Sequence, residues 1–129
     1  MNDFTELTRR LTELMKASAT GMIVARDGDG GLELLAPIPH PLKPKEPLWF
    51  GGVRAGKAYV SYHLMPVYGS AALAAKVSPG LKKRMQGKSC FNFTKPDEAL
   101  FAELAELTRA GAELFSKPLV MAQRAPRKA

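Results

Sequence analysis

Three residue types that cysteine hydrolases use occur within one stretch of the chain, at His63, Cys90 and Asn92. In such an enzyme the thiolate attacks the substrate, the imidazole takes up the thiol proton, and the amide orients the imidazole. Two neighbouring cations, Arg84 and Lys88, could lower the pKa of the thiol. A lone cysteine in a strand is more often a small buried apolar group. Catalysis by Cys90 is therefore an alternative, and no definite reaction is predicted.

Anion binding is the more attractive use of the same stretch. Lysine and arginine gather between residues 82 and 88, where lysine offers a point charge and arginine a planar fork for phosphate or carboxylate. Aromatic residues would add hydrogen bonds and a stacking surface, and Trp49 is expected on the neighbouring strand. We predict a concave face that binds a small anion or an acidic protein partner; a solvated basic face is the simpler alternative. Its candidate residues are Tyr59, His63, Arg84, Lys88, Cys90 and Asn92, with Tyr62 and Tyr68 as additional members.

Metal and cofactor sites are not predicted. The chain has one cysteine and two histidines, His40 and His63, and their spacing matches no metal-binding pattern. The stretch 27–31 reads DGDGG, as at the start of a calcium loop, but Glu33 is the only carboxylate that follows closely. Glycine and aspartate also supply the backbone conformations of a tight turn. We therefore predict a hairpin turn at this stretch.

The composition is that of an ordinary globular domain. The chain has 129 residues, of which 46% are apolar and 24% charged, and this suits one domain with one core. A single cysteine cannot form an internal disulfide, so nothing indicates an oxidising compartment. Residues 1–16 are charged and periodic, unlike a signal peptide, and no apolar run approaches the ~20 residues of a membrane span. We expect a soluble cytoplasmic protein without membrane association.

The net charge of +7 is unevenly distributed. Residues 76–88 and 117–129 contain cations and no carboxylate, whereas the last predicted helix is acidic. Basic segments attract phosphate backbones, and aromatic side chains can stack on unpaired bases. Weak nucleic-acid binding is therefore a second alternative, although no zinc-finger or RNP-like signature is present. Neither the charge nor its distribution favours a particular oligomeric state.

The candidate residues are expected to lie on a β-sheet. The two stretches that contain most of them alternate between apolar and polar side chains, as a strand does. Residues 47–54 and 58–65 predict a hairpin, and Val60, Tyr62 and Leu64 of its second strand share the core face. The alternate positions face a mixed and partly exposed surface: Tyr59, Ser61, His63 and Met65. The same alternation around the cysteine puts two phenylalanines in the core and Cys90 and Asn92 on the other face.

Helices at both ends are expected to cover one face of this sheet. Apolar side chains recur at three- and four-residue spacing over residues 3–17 and again over 96–115. Between them come the first hairpin, a proline-rich surface loop over 36–47, and short helices, one of which spans about 79–85.

This order of elements predicts an α+β domain. About five strands form an antiparallel sheet, with the N- and C-terminal helices packed on it. The domain is expected to span residues 1–115, and residues 116–129 are expected to form a basic, flexible tail.

Three stretches together resemble a family of small bacterial proteins: YVSYHLMPVY, LKKRMQGKSCFNF and PDEALFAELAEL. Over roughly residues 47–115 the chain is similar to the YdhG-like domains. The resemblance implies a cytoplasmic α+β domain with helices flanking an antiparallel sheet, and no settled enzyme activity. Some relatives have been discussed as frataxin-like iron chaperones, a role expected to need clustered surface carboxylates. Here the carboxylates of the first helix are interleaved with Arg9, Arg10 and Lys16, so iron binding is not predicted.

Overall fold

The computed structural model describes residues 4–28, 30–40, 45–87 and 89–116. Within these residues six strands form one antiparallel sheet, in the order β1-β2-β3-β4-β6-β5. This confirms the predicted α+β class with helices at both ends, and adds one strand to the five expected. In chain order the elements are α1 (Thr5–Ser18), β1 (Ile23–Gly28), β2 (Gly31–Pro39), β3 (Pro47–Ala55), β4 (Val60–Leu64), α2 (Met65–Gly69), α3 (Ala71–Ala74), α4 (Pro79–Lys82), β5 (Met85–Gln86), β6 (Cys90–Phe93) and α5 (Glu98–Leu114).

The additional strand is β5, which pairs with β6. The sequence predicts its residues, Met85 and Gln86, at or just after the end of a short helix over 79–85, but that helix stops at Lys82. Gly87 has a φ of +79°, a conformation that favours glycine, and it turns the chain from β5 back into β6. Two residues are too few to produce a period-2 pattern, so the sequence carries no strand signal there.

One face of the sheet forms the core against α1 and α5. As predicted, Val60, Tyr62 and Leu64 lie on this face, and all three are fully buried. From β6, the ring of Phe93 meets the ring of Phe101 in α5 edge to face, with 5.3 Å between centroids. Burial of these aliphatic and aromatic side chains holds the helices to the sheet.

Tyr62 is therefore not part of the open face, which corrects its candidate role there. Its hydroxyl lies 2.5 Å from Oγ1 of Thr108 in α5, and both side chains are buried. Burial raises the pKa of Tyr62, and the hydrogen bond to Thr108 offsets only part of this rise. The phenol stays neutral and satisfies a buried partner, so this contact ties β4 to α5.

The proline-rich loop is shorter than predicted. Ala36 and Ile38 are buried while Pro37 and Pro39 are exposed, and this alternation continues β2 as far as Pro39. The register between β2 and β3 shifts between Ala36 and Pro39, so no regular ladder there needs the amide donors that proline lacks. The middle of the loop, residues 41–44, lies outside the described residues.

The chain ends differ slightly from the predicted bounds. Helix α1 begins at Thr5, and the C-terminal helix ends at Leu114, followed by the buried Phe115. The expected tail lies outside the described residues apart from Ser116. No helix in the described ranges is long and apolar enough to cross a membrane.

Candidate functional site

Strand pairing places a row of polar side chains on the sheet face opposite the core. Ser61 of β4 pairs with Arg54 of β3 on one side and with Asn92 of β6 on the other. At the next open-face position of β4, His63 pairs with Cys90. Directly paired residues project from the same face, so these side chains gather over three adjacent strands.

Asn92 is the centre of a hydrogen-bond network on this face. Its Oδ1 accepts from Ser61 Oγ at 2.9 Å and from Cys90 Sγ at 3.3 Å. Its Nδ2 donates to Oε1 of Gln86 in β5 at 2.8 Å, and the same oxygen accepts from Tyr59 OH at 3.4 Å. The two-residue strand that the sequence did not reveal therefore supplies a polar group to the site.

The side chains of Cys90 and His63 are in contact, with 3.7 Å between Sγ and Nε2. Partial burial raises the pKa of the Cys90 thiol, and a hydrogen bond with Ser61 opposes this only in part. Burial, and then the positive charge of Arg54, lower the pKa of His63. Both shifts favour the uncharged forms of the pair, a thiol and a neutral imidazole. The thiol pKa is thus raised by burial, where the sequence suggested that Arg84 and Lys88 could lower it; Lys88 lies outside the described residues.

An open cavity of about 630 Å³ lies between this network and the β3–β4 turn. The Gly56 amide donates to the Tyr59 carbonyl at 2.9 Å and closes the turn, so that Lys57 lines the cavity wall. Among the described residues that line the cavity, the charged side chains are those of Arg54 and Lys57, and there is no carboxylate. The lining is formed by Arg54, Gly56, Lys57, Ala58, Tyr59, Ser61, His63, Gln86 and Cys90.

The nearby carboxylate of Glu33 is engaged elsewhere. Glu33 of β2 pairs in register with Gly52 of β3, which in turn pairs with His63. Its carboxylate forms an ion pair with Arg26 of β1, with 3.6 Å between Oε2 and Nη2. The cation pair of Arg54 and Lys57 therefore faces the cavity without this acid in its lining.

The structure brings together four of the six main candidates: Tyr59, His63, Cys90 and Asn92. Arg84 is exposed and does not line the cavity. Its backbone carbonyl accepts a hydrogen bond from the backbone N–H of Asn92 at 2.8 Å. Lys88 lies outside the described residues. The additional candidate Tyr68 lies on α2, a helix that packs on α5, and it does not line the cavity either.

Sequence reasoning missed both cations of the cavity. Lys57 lies in the predicted hairpin turn and Arg54 ends the strand before it. The observed pairing of β3 with β4 puts Arg54 opposite Ser61. The predicted bounds would instead pair Arg54 with Ala58, so the sequence carried no signal for this position, and the denser cluster of cations after residue 81 favoured Arg84.

Trp49 also reaches the open face. Its ring centroid lies 5.6 Å from that of His63, with the two planes tilted by 59°. Trp49 pairs with Leu35 of β2, and both side chains are half-buried. Trp49 and Leu35 thus form an apolar surface next to the His63 end of the polar network.

In the described part of the chain, no group of three or more histidine, cysteine, aspartate or glutamate side chains could hold a metal ion. Comparison of the chain with protein-family models, curated proteins and solved structures gives no match. The site's own chemistry is therefore the basis for a functional proposal.

Proposed function

We propose that this protein binds a small anion, a phosphate or a carboxylate, in the cavity beside the β3–β4 turn, without catalysing a reaction. The observation that carries this proposal is the pair of cations, Arg54 and Lys57, in a lining whose described residues include no carboxylate. Clefts with charges of one sign raise the local concentration of the opposite ion.

The neutral groups of the lining complete the chemistry of anion recognition. Arg54 offers a planar fork that matches two oxygens of the anion, and Lys57 adds a point charge. The single hydroxyl proton of Tyr59 goes to Gln86 over a long contact of 3.4 Å, and it can turn to a bound anion instead. Because Arg54 is exposed to water, we expect a modest affinity, with a Kd of about 1 mM or somewhat tighter.

Calorimetric titration with inorganic phosphate tests this proposal. We expect Arg54→Gln to weaken binding about tenfold or more, since a charge-assisted hydrogen bond is lost. Arg84→Gln is the matched control, because it removes an exposed arginine that does not line the cavity. Equal losses in the two variants would show that phosphate senses only the overall positive field.

A cysteine-dependent enzyme is the second candidate function. It is favoured by the 3.7 Å approach of Cys90 Sγ to His63 Nε2, with Asn92 beside the thiol. The raised pKa of the thiol and the lowered pKa of the imidazole oppose it, because a nucleophilic pair needs the thiolate. For weak nucleic-acid binding, the described residues offer no comparable contact.

Steep salt dependence of oligonucleotide binding would be the signature of that alternative.

Kinship with the YdhG-like domains is also a proposal. It rests on the three resembling stretches of sequence, which in this fold form β4 and α2, α4 through β6, and the first part of α5. A determined structure of a YdhG-like protein with the same strand order would strengthen it, and a different order would count against it.

A further inference from the structure

We infer that the anion bound in this cavity is a nucleoside phosphate, whose phosphate contacts Arg54 and Lys57 and whose base stacks on Trp49. This inference rests on the proposed anion-binding function and names the chemical class of its ligand. It draws on three features of the open face: an indole ring against a residue that lines the cavity, a position without a side chain between that ring and Arg54, and the separation of the two along β3.

A β-bulge presents the ring. Leu34 pairs with Gly51, but the next residue of β2, Leu35, pairs with Trp49, so Phe50 is an extra residue in β3. Phe50 is fully buried and points into the core, where its ring lies 6.1 Å from that of Phe115. The bulge therefore leaves Trp49 on the open face, against His63.

Gly52 is the open-face position of β3 between Trp49 and Arg54. It occupies the open-face position that pairs with His63, and it has no side chain to separate the indole from the guanidinium. A Cβ at Gly52 would lie 2.4 Å from the Leu32 carbonyl oxygen, so the backbone geometry itself demands glycine here. Trp49 adjoins the cavity through His63, which contacts the indole ring and lines the cavity.

Trp49 and Arg54 are too far apart along β3 for a single ring or ion to contact both. They are five residues apart and one of the residues between them, Phe50, is the bulge, so about four strand steps, or about 13 Å, separate them. The indole lies against His63, which is two positions from Ser61, the partner of Arg54. An inorganic anion at Arg54 would leave Trp49 unused, and an aryl phosphate would be too short to reach both. A ribose spacer lets the base rest on Trp49 and His63 while the phosphate meets the cations. Aromatic stacking of this kind tolerates any base, because every base has a π-face.

Adenosine monophosphate and ribose 5-phosphate are the matched probes, because they carry the same sugar and phosphate and differ in the base. We expect calorimetry to give about tenfold tighter binding of adenosine monophosphate to the wild-type protein. In Trp49→Leu this preference should disappear while the affinity for ribose 5-phosphate stays within about twofold. Trp49→Phe, which keeps a stacking ring, should retain most of the preference and guards against loss of fold in the leucine variant.

The outcomes separate this inference from the proposed function. Equal affinities for the two probes in the wild-type protein would overturn the nucleotide assignment and leave simple anion binding intact. Binding of neither probe would overturn both. A short single-stranded oligonucleotide tests whether the bound nucleotide is free or part of a strand. Trp49-dependent binding of the oligonucleotide that is tighter than binding of adenosine monophosphate would assign a nucleotide within a strand. Equal or weaker binding of the oligonucleotide would assign a free nucleotide.

Discussion

The environment of Cys90 decides which chemistry this residue can perform. Its thiol pKa is raised above the ordinary value of 9.0, mainly by burial. The reacting species in alkylation is the thiolate, so a raised pKa slows the reaction at neutral pH. A cysteine, a histidine and an asparagine in contact are therefore not sufficient for a nucleophile.

We expect iodoacetamide to label Cys90 slowly in the folded protein near neutral pH and quickly in urea, with mass spectrometry as the readout. Cys90→Ser, which should take up no label, is the control for the site of reaction. Labelling that is as fast in the folded state as in urea would contradict the neutral-thiol description and favour the enzyme.

His63 should titrate below its ordinary pKa of 6.5, since burial and the charge of Arg54 both disfavour the imidazolium. We expect Arg54→Gln to raise this pKa, and bound phosphate to raise it in the wild-type protein. Nuclear magnetic resonance of the imidazole protons measures it, and His63→Gln assigns the signal. A His63 pKa that is unchanged in Arg54→Gln would contradict the electrostatic role given to Arg54.

The same shift links His63 to stability. With a lowered folded-state pKa, the unfolded chain binds the proton first as the pH falls. The contribution of His63 to the free energy of unfolding is therefore present above pH 6.5 and declines as the pH falls from there toward the folded-state pKa. Urea melts of the wild-type protein and His63→Gln across this range should converge at low pH; parallel curves would exclude this linkage.

At the scale of elements, close packing of β2 against β3 depends on glycine. We expect Gly52→Ala to lower the free energy of unfolding by about 1–3 kcal/mol, because its Cβ would collide with the Leu32 carbonyl. Gly28→Ala in β1 is the matched control, since an added Cβ there meets nothing within 4 Å. Urea denaturation compares the two, and equal effects would show that the strand contact is not responsible.

The buried hydrogen bond between Tyr62 and Thr108 should couple β4 to α5. Tyr62→Phe leaves the threonine hydroxyl without its partner in the core, and we expect a loss of about 1–3 kcal/mol. Adding Thr108→Val should recover part of this loss, because both polar groups are then absent. Additive losses in the double variant, measured by urea denaturation, would mean that the two side chains do not interact.

The elements that the sequence predicted are those with a repeating pattern or a characteristic turn. The alternation of Val60, Tyr62 and Leu64 specified both the strand and its core face, and the long apolar stripe specified α5. Strand β5 was missed because two residues have no period, and the bulge at Phe50 was missed because register depends on the partner strand. These two irregularities supply Gln86 and Trp49 to the open face.

The candidate site was predictable to the same extent. Alternation placed Tyr59, His63, Cys90 and Asn92 on one face, and the structure brings them together. The cations differ because charge density along the chain does not report which side chains share a cavity. That requires the pairing of β3 with β4, which puts Arg54 opposite Ser61.

At the scale of the whole molecule, a net charge of +7 attracts any anion weakly. Such long-range attraction is screened over about 8 Å at physiological ionic strength, whereas direct hydrogen bonds in a cavity are screened less. The salt dependence of binding therefore distinguishes a defined anion site from long-range attraction by the net charge. This distinction applies to every ligand proposed for this protein.

The most direct test is an amide-shift titration of the isotope-labelled protein with inorganic phosphate at low and high salt. We expect salt-resistant shifts at residues 54–63 and 86–92, lost in Arg54→Gln and retained in Arg84→Gln. Shifts spread over the basic segments, abolished by salt and equally reduced in both variants, would contradict anion binding at this cavity.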